Sequence, residues 1–131
     1  MTTDLYLTTF AVVLTWVMVF FAANIKVKSW TPSGMKAAFG NRETAVDAPG
    51  FAGRADRAAK NMIENLPLFL GLIMVAHLGG RTGDRVNLGA HMFVWARLAY
   101  WPTYLAGVPY LRTLIWYVSV MGLGVIVTAL V

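Results

Sequence analysis

The side chains able to do chemistry gather in two short stretches. In "GRADRAAKNMIENLPLFL", Gly53 to Leu70, the residues Arg54, Arg57, Lys60, Asn61 and Glu64 crowd the first half, while Leu66, Leu68, Phe69 and Leu70 fill the second. At about 100° per residue, with Arg57 at zero, Asn61 falls near +40° and Glu64 near −20°. Arg57, Asn61 and Glu64 therefore form one narrow helical stripe, with Arg54 and Leu68 close by. Lys60 points off it, as a side chain that snorkels to headgroups. In the second stretch Arg97, Tyr100 and Tyr104 follow i, i+3, i+7. An ion pair between Glu64 and Arg97 would satisfy both groups and could serve only to hold two helices together. One carboxylate cannot satisfy two arginines, however, and Asn61 adds unspent donors. Arg57 and Asn61 are therefore candidates for binding a charged ligand.

Other chemistries find little support. The chain has no cysteine, hence no disulfide, thiolate ligand or cysteine nucleophile. His77 and His91 sit at the far ends of their helices with no acidic neighbour or cysteine, so they read as interfacial or packing residues, and no metal site is expected. No Ser–His–Asp arrangement or phosphate-binding loop is present. Trp16, Trp95 and Trp116 read as lipid-facing or core residues.

The elements that must position the two stripes are membrane spans. The 131 residues are 58% hydrophobic and only 13% charged, with a mean hydropathy of +0.61. Globular chains run near a quarter charged. Apolar runs long enough to cross a bilayer core are expected at about 5–25, 57–78, 86–106 and 113–131, which gives an all-α, four-helix membrane bundle in one domain. The first run lacks the positive start and small-residue cleavage site of a signal peptide. "HLGGRTGDRVNLG" and "GVPYLR" read as short turns. The long connection, 26–53, carries Lys26, Lys28, Lys36 and Arg42, with Pro32, Gly34, Gly40 and Pro49 as breakers. The positive-inside rule puts it in the cytoplasm, with both termini outside and the Tyr110–Arg112 turn beside it. The net charge of +5 thus fits topology and anionic lipid, and no nucleic-acid partner is expected. Charges inside a bilayer cost roughly 2.5 kcal/mol or more each. Two polar stripes at one depth therefore imply a shared polar site. Pro102 is expected to kink the third span, and Gly122 and Gly124 to allow close packing of the fourth.

"RAAKNMIENLPLFL" resembles the motif of the MAPEG family, the membrane-associated proteins in eicosanoid and glutathione metabolism. The family pattern reads R-A-x-x-N-x-x-E with a proline soon after, and Arg57, Ala58, Asn61, Glu64 and Pro67 match it in order. "ARLAYWPTY" is similar to the family's A-R-x-x-[YH]-x-x-x-Y stretch, and "FGNRE" in the first loop resembles bacterial members. The resemblance implies a homotrimer that binds glutathione between subunits near the cytoplasmic face, in a bacterial inner membrane. It carries Arg57, Asn61, Glu64 and Tyr100 onto glutathione-contacting positions and Tyr104 onto the later tyrosine. Arg112 falls at the arginine that activates the thiol. Lys26 stands where several members have arginine, and Asn65 where the leukotriene synthase of the family has tyrosine.

What the resemblance implies is a membrane glutathione transferase acting on lipophilic electrophiles, with glutathione peroxidase chemistry on lipid hydroperoxides as an additional candidate. A non-enzymatic member that binds lipid or a protein partner is the alternative. Residue chemistry agrees with glutathione as co-substrate. Arg57 and Lys26 can pair its carboxylates, Glu64 its ammonium or an amide. A guanidinium beside a thiol of pKa near 8.5 favours the thiolate.

Overall fold

The computed structural model describes residues 1–28, 31–39 and 50–131. Gly40, Arg42 and Pro49, with most of "FGNRE", lie outside the described residues. The helices in chain order are α1 (Thr3–Val27), α2 (Pro32–Phe39), α3 (Gly50–Leu78), α4 (Asp84–Leu105) and α5 (Pro109–Leu130). There is no strand among the described residues. α1, α3 and α5 are each long and apolar enough to cross a membrane. α4 has 22 residues and carries Asp84, Arg85 and Arg97. It falls outside that set by composition while matching a span in length, about 33 Å at 1.5 Å per residue.

α3 explains the mixed character of its own sequence. Its 29 residues reach about 44 Å, well beyond a hydrocarbon core of about 30 Å. The charged first turns can therefore stand in the headgroup layer while the apolar turns cross. Pro67 sits within the helix.

Helix ends follow local chemistry. Gly80 and Gly107 take positive φ, +65° and +75°. Each closes a Schellman motif, a left-handed helix end that satisfies two terminal carbonyls. In one, Arg81 N–H donates to Ala76 O and Gly80 N–H to His77 O. In the other, Val108 N–H donates to Thr103 O and Gly107 N–H to Tyr104 O. Three features differ from the sequence expectation, the first being that α3 begins at Gly50, ahead of the expected start at 57 and inside the expected 26–53 connection. α5 begins at Pro109, not near Thr113, because proline at the first helical position costs no hydrogen bond and presets φ. The long connection holds a two-turn helix at α2. Pro32 there starts a helix instead of breaking one, and Thr31 Oγ1 caps it by accepting from Gly34 N–H at 3.0 Å.

The core is a single cluster at helical spacing. Leu7, Ala11, Leu14, Met18 and Ala22 of α1 face Ala55, Ala58, Met62, Phe69 and Ile73 of α3, with Val86, Ala90 and Phe93 of α4 and Ile126 of α5. Phe69 and Phe93 stack with centroids 4.4 Å apart. α4 and α5 make the most extensive pairing. Their backbones touch where Gly89 meets Gly122, a crossing no Cβ could enter without displacing main chain. Gly124 has open space instead, so of the two expected packing glycines only Gly122 serves. Trp16 and Phe20 point outward from α1, 70% and 63% exposed, as lipid-facing side chains do.

Candidate functional site

Cross-helix contacts define two ends of the bundle. At one, Lys26 of α1 lies 3.9 Å from Asp56 of α3, and Arg54 Nε donates to Leu105 O at 3.0 Å. Arg54 thereby satisfies a terminal carbonyl of α4 and packs against the Gly107 turn. This ties the start of α3 to the α4–α5 turn and sets where the first turn of α5 presents Arg112.

At that end α3, α4 and α5 enclose a cleft of about 180 Å³ lined by Asn61, Tyr100, Arg112, Thr113 and Trp116. Three of the sequence-derived candidates, Asn61, Tyr100 and Arg112, thus come together from three helices. Tyr104 joins them: the Arg112 guanidinium lies over its ring, 4.5 Å from the centroid, and Tyr104 meets Tyr100 edge to face at 5.5 Å. Thr113 and Trp116 were not singled out for the site. Trp116 lies four residues beyond Arg112 on α5, and that spacing was the available signal for it, whereas Thr113, one residue on, had none.

Arg97 is the most informative group. It is 1% exposed. Its Nη1 donates to Asn61 Oδ1 at 2.5 Å, and its guanidinium lies 5.6 and 5.1 Å from the ring centroids of Phe93 and Tyr100. The expected Glu64–Arg97 ion pair is not formed among the described residues. Asn61, three residues nearer the start of α3, takes the arginine, and Glu64 turns to the exposed face. Arg97 Nε and Nη2 and the indole nitrogen of Trp116 are sealed from solvent with no hydrogen-bond partner.

Other candidates do not line the cleft. Arg57 and Glu64 are exposed on the outer face of α3. Lys26 and Lys60 share Asp56, an acid the sequence reading had passed over, and the Lys60–Asp56 contact is 3.0 Å. At the opposite end of the bundle His77 Nε2 meets Asp4 Oδ2 at 2.5 Å. The acidic neighbour missing from the sequence around His77 is thus supplied by α1, 73 positions away. No group of three or more potential metal ligands occurs among the described residues. His91 accepts from Trp95 Nε1 at 3.0 Å within α4.

The model of the MAPEG family matches residues 5–131, nearly the whole chain. The chain belongs to the MAPEG family. It is accordingly an integral membrane protein of the glutathione and eicosanoid metabolism group, and its helical bundle is a MAPEG bundle. Among curated proteins no relative matches the chain.

The donor set of this MAPEG cleft fits the ligand its family is associated with. Arg112, the amide of Asn61 and the two tyrosines offer mostly N–H and O–H groups, while the Thr113 hydroxyl already donates to Pro109 O at 3.0 Å. A ligand rich in oxygen acceptors and carrying an ionisable thiol complements them. At about 180 Å³ the cleft of one chain is smaller than the roughly 300–1,000 Å³ of usual small-molecule pockets.

Proposed function

We propose that this MAPEG protein is a membrane glutathione transferase that conjugates glutathione to lipophilic electrophiles, working as a homotrimer. The observation that carries the reading is the convergence of Asn61, Tyr100 and Arg112, from three helices, on one cleft backed by the buried Arg97.

Two features support a site shared between copies. The cleft of one chain is undersized for a tripeptide. Arg57 and Glu64 lie on an outward face of α3, and Glu64, beyond the charged first turns, would be left unsatisfied there by bare lipid. A neighbouring copy's cleft brought against that face would let Arg57 pair a carboxylate of glutathione and Glu64 its ammonium. Lys26, held by Asp56, stands at the same end of the bundle and can add a second cation.

In this reading Arg112 acts on the sulfur. Its guanidinium, held against the Tyr104 ring, favours the thiolate over the thiol, and the thiol proton leaves to solvent. The thiolate attacks an electrophilic carbon, a C–S bond forms and the leaving group departs with the electron pair. A bilayer site receives the apolar electrophile from lipid and the peptide from the aqueous face, which the positive-inside rule makes cytoplasmic. Tyr100 and Tyr104 line the peptide at low entropic cost.

The test is titration of the purified full chain with glutathione by calorimetry, together with turnover of chlorodinitrobenzene and mass measurement of the intact oligomer. Saturable binding, chloride release and a trimer are expected. A chain that binds glutathione without turnover would be a binding protein on the same scaffold, and a chain that shows neither would overturn the reading.

A further inference from the structure

Asn65 lies one turn beyond Asn61 on α3 and does not itself line the cleft. Its Nδ2 donates to the Asn61 backbone oxygen at 2.8 Å and, in a longer second arm, to Asn61 Oδ1 at 3.4 Å. Arg97 Nη1 donates to that same Oδ1 at 2.5 Å. A guanidinium has five N–H donors and no acceptor. Only the oxygen end of the Asn61 carboxamide can therefore face Arg97, since the reverse orientation would press an N–H2 group against a buried cation. Both lone-pair directions of that oxygen are then used, one by Arg97 and one by Asn65. The N–H2 end remains, and among the described residues no acceptor meets it, while Asn61 itself lines the cleft.

Resting on the glutathione-binding reading above, we propose that Asn65 is a positioning residue. With Arg97 it locks the Asn61 carboxamide so that its N–H donors serve the ligand. The subsite at Asn61 then takes a carboxylate or carbonyl oxygen of the peptide and rejects its ammonium.

A plainer role for Asn65 is self-satisfaction. Polar side chains in apolar helices commonly donate to the carbonyl four residues back, and Thr8, Thr15 and Thr103 do so here. Asn65 differs in its second arm, which reaches a side chain of the site. Asn65→Thr separates the two roles, because a threonine hydroxyl keeps the bond to the carbonyl and cannot reach Oδ1. Asn65→Asp goes further: a carboxylate repels Oδ1 and attracts the N–H2 end, turning the amide away from the ligand.

Both variants are to be compared with the wild-type full chain by calorimetric titration with glutathione, by KM and kcat with chlorodinitrobenzene, and by melting temperature. Asn65→Thr is expected to raise Kd and KM for glutathione roughly three- to tenfold, the loss of one neutral hydrogen bond, with kcat and melting temperature unchanged. Asn65→Asp should raise them further. If Asn65→Thr stays within twofold of wild type, or lowers kcat at constant KM, Asn65 only satisfies itself and the proposal is wrong while the transferase reading stands. If the wild type gives no binding heat with glutathione, the transferase reading fails and this proposal with it, and the wild-type titration alone identifies that case.

Discussion

The Arg112 guanidinium stacks over the ring of Tyr104, 4.5 Å from its centroid. The two residues come from different helices, and the α4–α5 turn closed by Gly107 brings them together. A cation held on a ring face keeps its N–H groups in the ring's periphery, free to donate sideways. Tyr104 is in turn fixed edge to face by Tyr100, so the stack aims Arg112 along the cleft.

Arg112→Ala should leave glutathione affinity nearly intact, raise the pKa of the bound thiol and slow turnover. Each unit of that pKa shift corresponds to about 1.4 kcal/mol. Tyr104→Phe keeps the ring under the guanidinium and should stay close to wild type, whereas Tyr104→Leu should behave as a milder Arg112→Ala. Thiolate absorbance against pH, with glutathione bound, measures each case. A sharp loss in Tyr104→Phe would instead assign the sulfur contact to the tyrosine hydroxyl.

Asn61 does two jobs that substitution can divide. Asn61→Asp keeps an acceptor for Arg97 and removes both donors to the ligand. Its melting temperature should equal or exceed wild type while glutathione affinity falls. Asn61→Leu also strands Arg97, already short of acceptors at Nε and Nη2, and should cost roughly 1.5–3 kcal/mol of stability as a hydrogen bond to a buried charge is lost. Thermal unfolding in detergent and calorimetric titration together separate the two.

The fold was legible because its signals are local. Apolar length marked α1, α3 and α5, while of the polar stripe on α3 only Asn61 lines the candidate cleft. The partner of Arg97 was not legible. Asn61 and Glu64 are about 60° apart on the same helix, so periodicity placed both near α4. The rotation of α3 against α4, set by packing of Met62, Phe69 and Phe93, decided for Asn61. Asp4–His77 was hidden for another reason: its two residues lie at opposite ends of their helices' sequence order and meet only once α1 and α3 pack antiparallel. Trp116 was visible as the i+4 neighbour of Arg112, but its place in the cleft, and that of Thr113, depend on α5 starting at Pro109.

Gly122 and Gly124 offer a paired test of the α4–α5 crossing. A Cβ at Gly122 would come 2.7 Å from Gly89 O and 2.9 Å from Phe93 N, both main-chain atoms that cannot yield without moving a helix. Gly122→Ala should destabilise the bundle by about 1–3 kcal/mol, the usual cost of overpacking. Gly124→Ala meets nothing within 4 Å and should be neutral or slightly stabilising through helix propensity. Equal melting temperatures for the two variants would mean the helices do not cross at Gly89 and Gly122.

Asp4 and His77 form the staple at the opposite end of the bundle, and their burial is unequal. The Asp4 side chain is 2% exposed and that of His77 26%. Asp4 sits in the first turn of α1, His77 in the last turn of α3, so the contact ties these helices where no turn connects them. The inequality predicts an asymmetric response. His77→Leu takes away one of the Asp4 carboxylate's partners while Thr2 remains, and should cost about 1–3 kcal/mol. Asp4→Leu leaves the more exposed of the two side chains without its partner, and should cost less. The double variant replaces both by apolar groups facing each other and should recover most of the His77→Leu loss, because exchanging both partners of a buried polar contact for apolar groups can be nearly neutral. Thermal unfolding of the wild type, both single variants and the double variant closes the cycle, and the coupling should appear as strong non-additivity. Glutathione affinity and turnover should be unchanged throughout, since the cleft lies at the other end of the bundle. Additive losses would mean the two side chains are not coupled, and a fall in glutathione affinity would mean this end of α3 also positions the site.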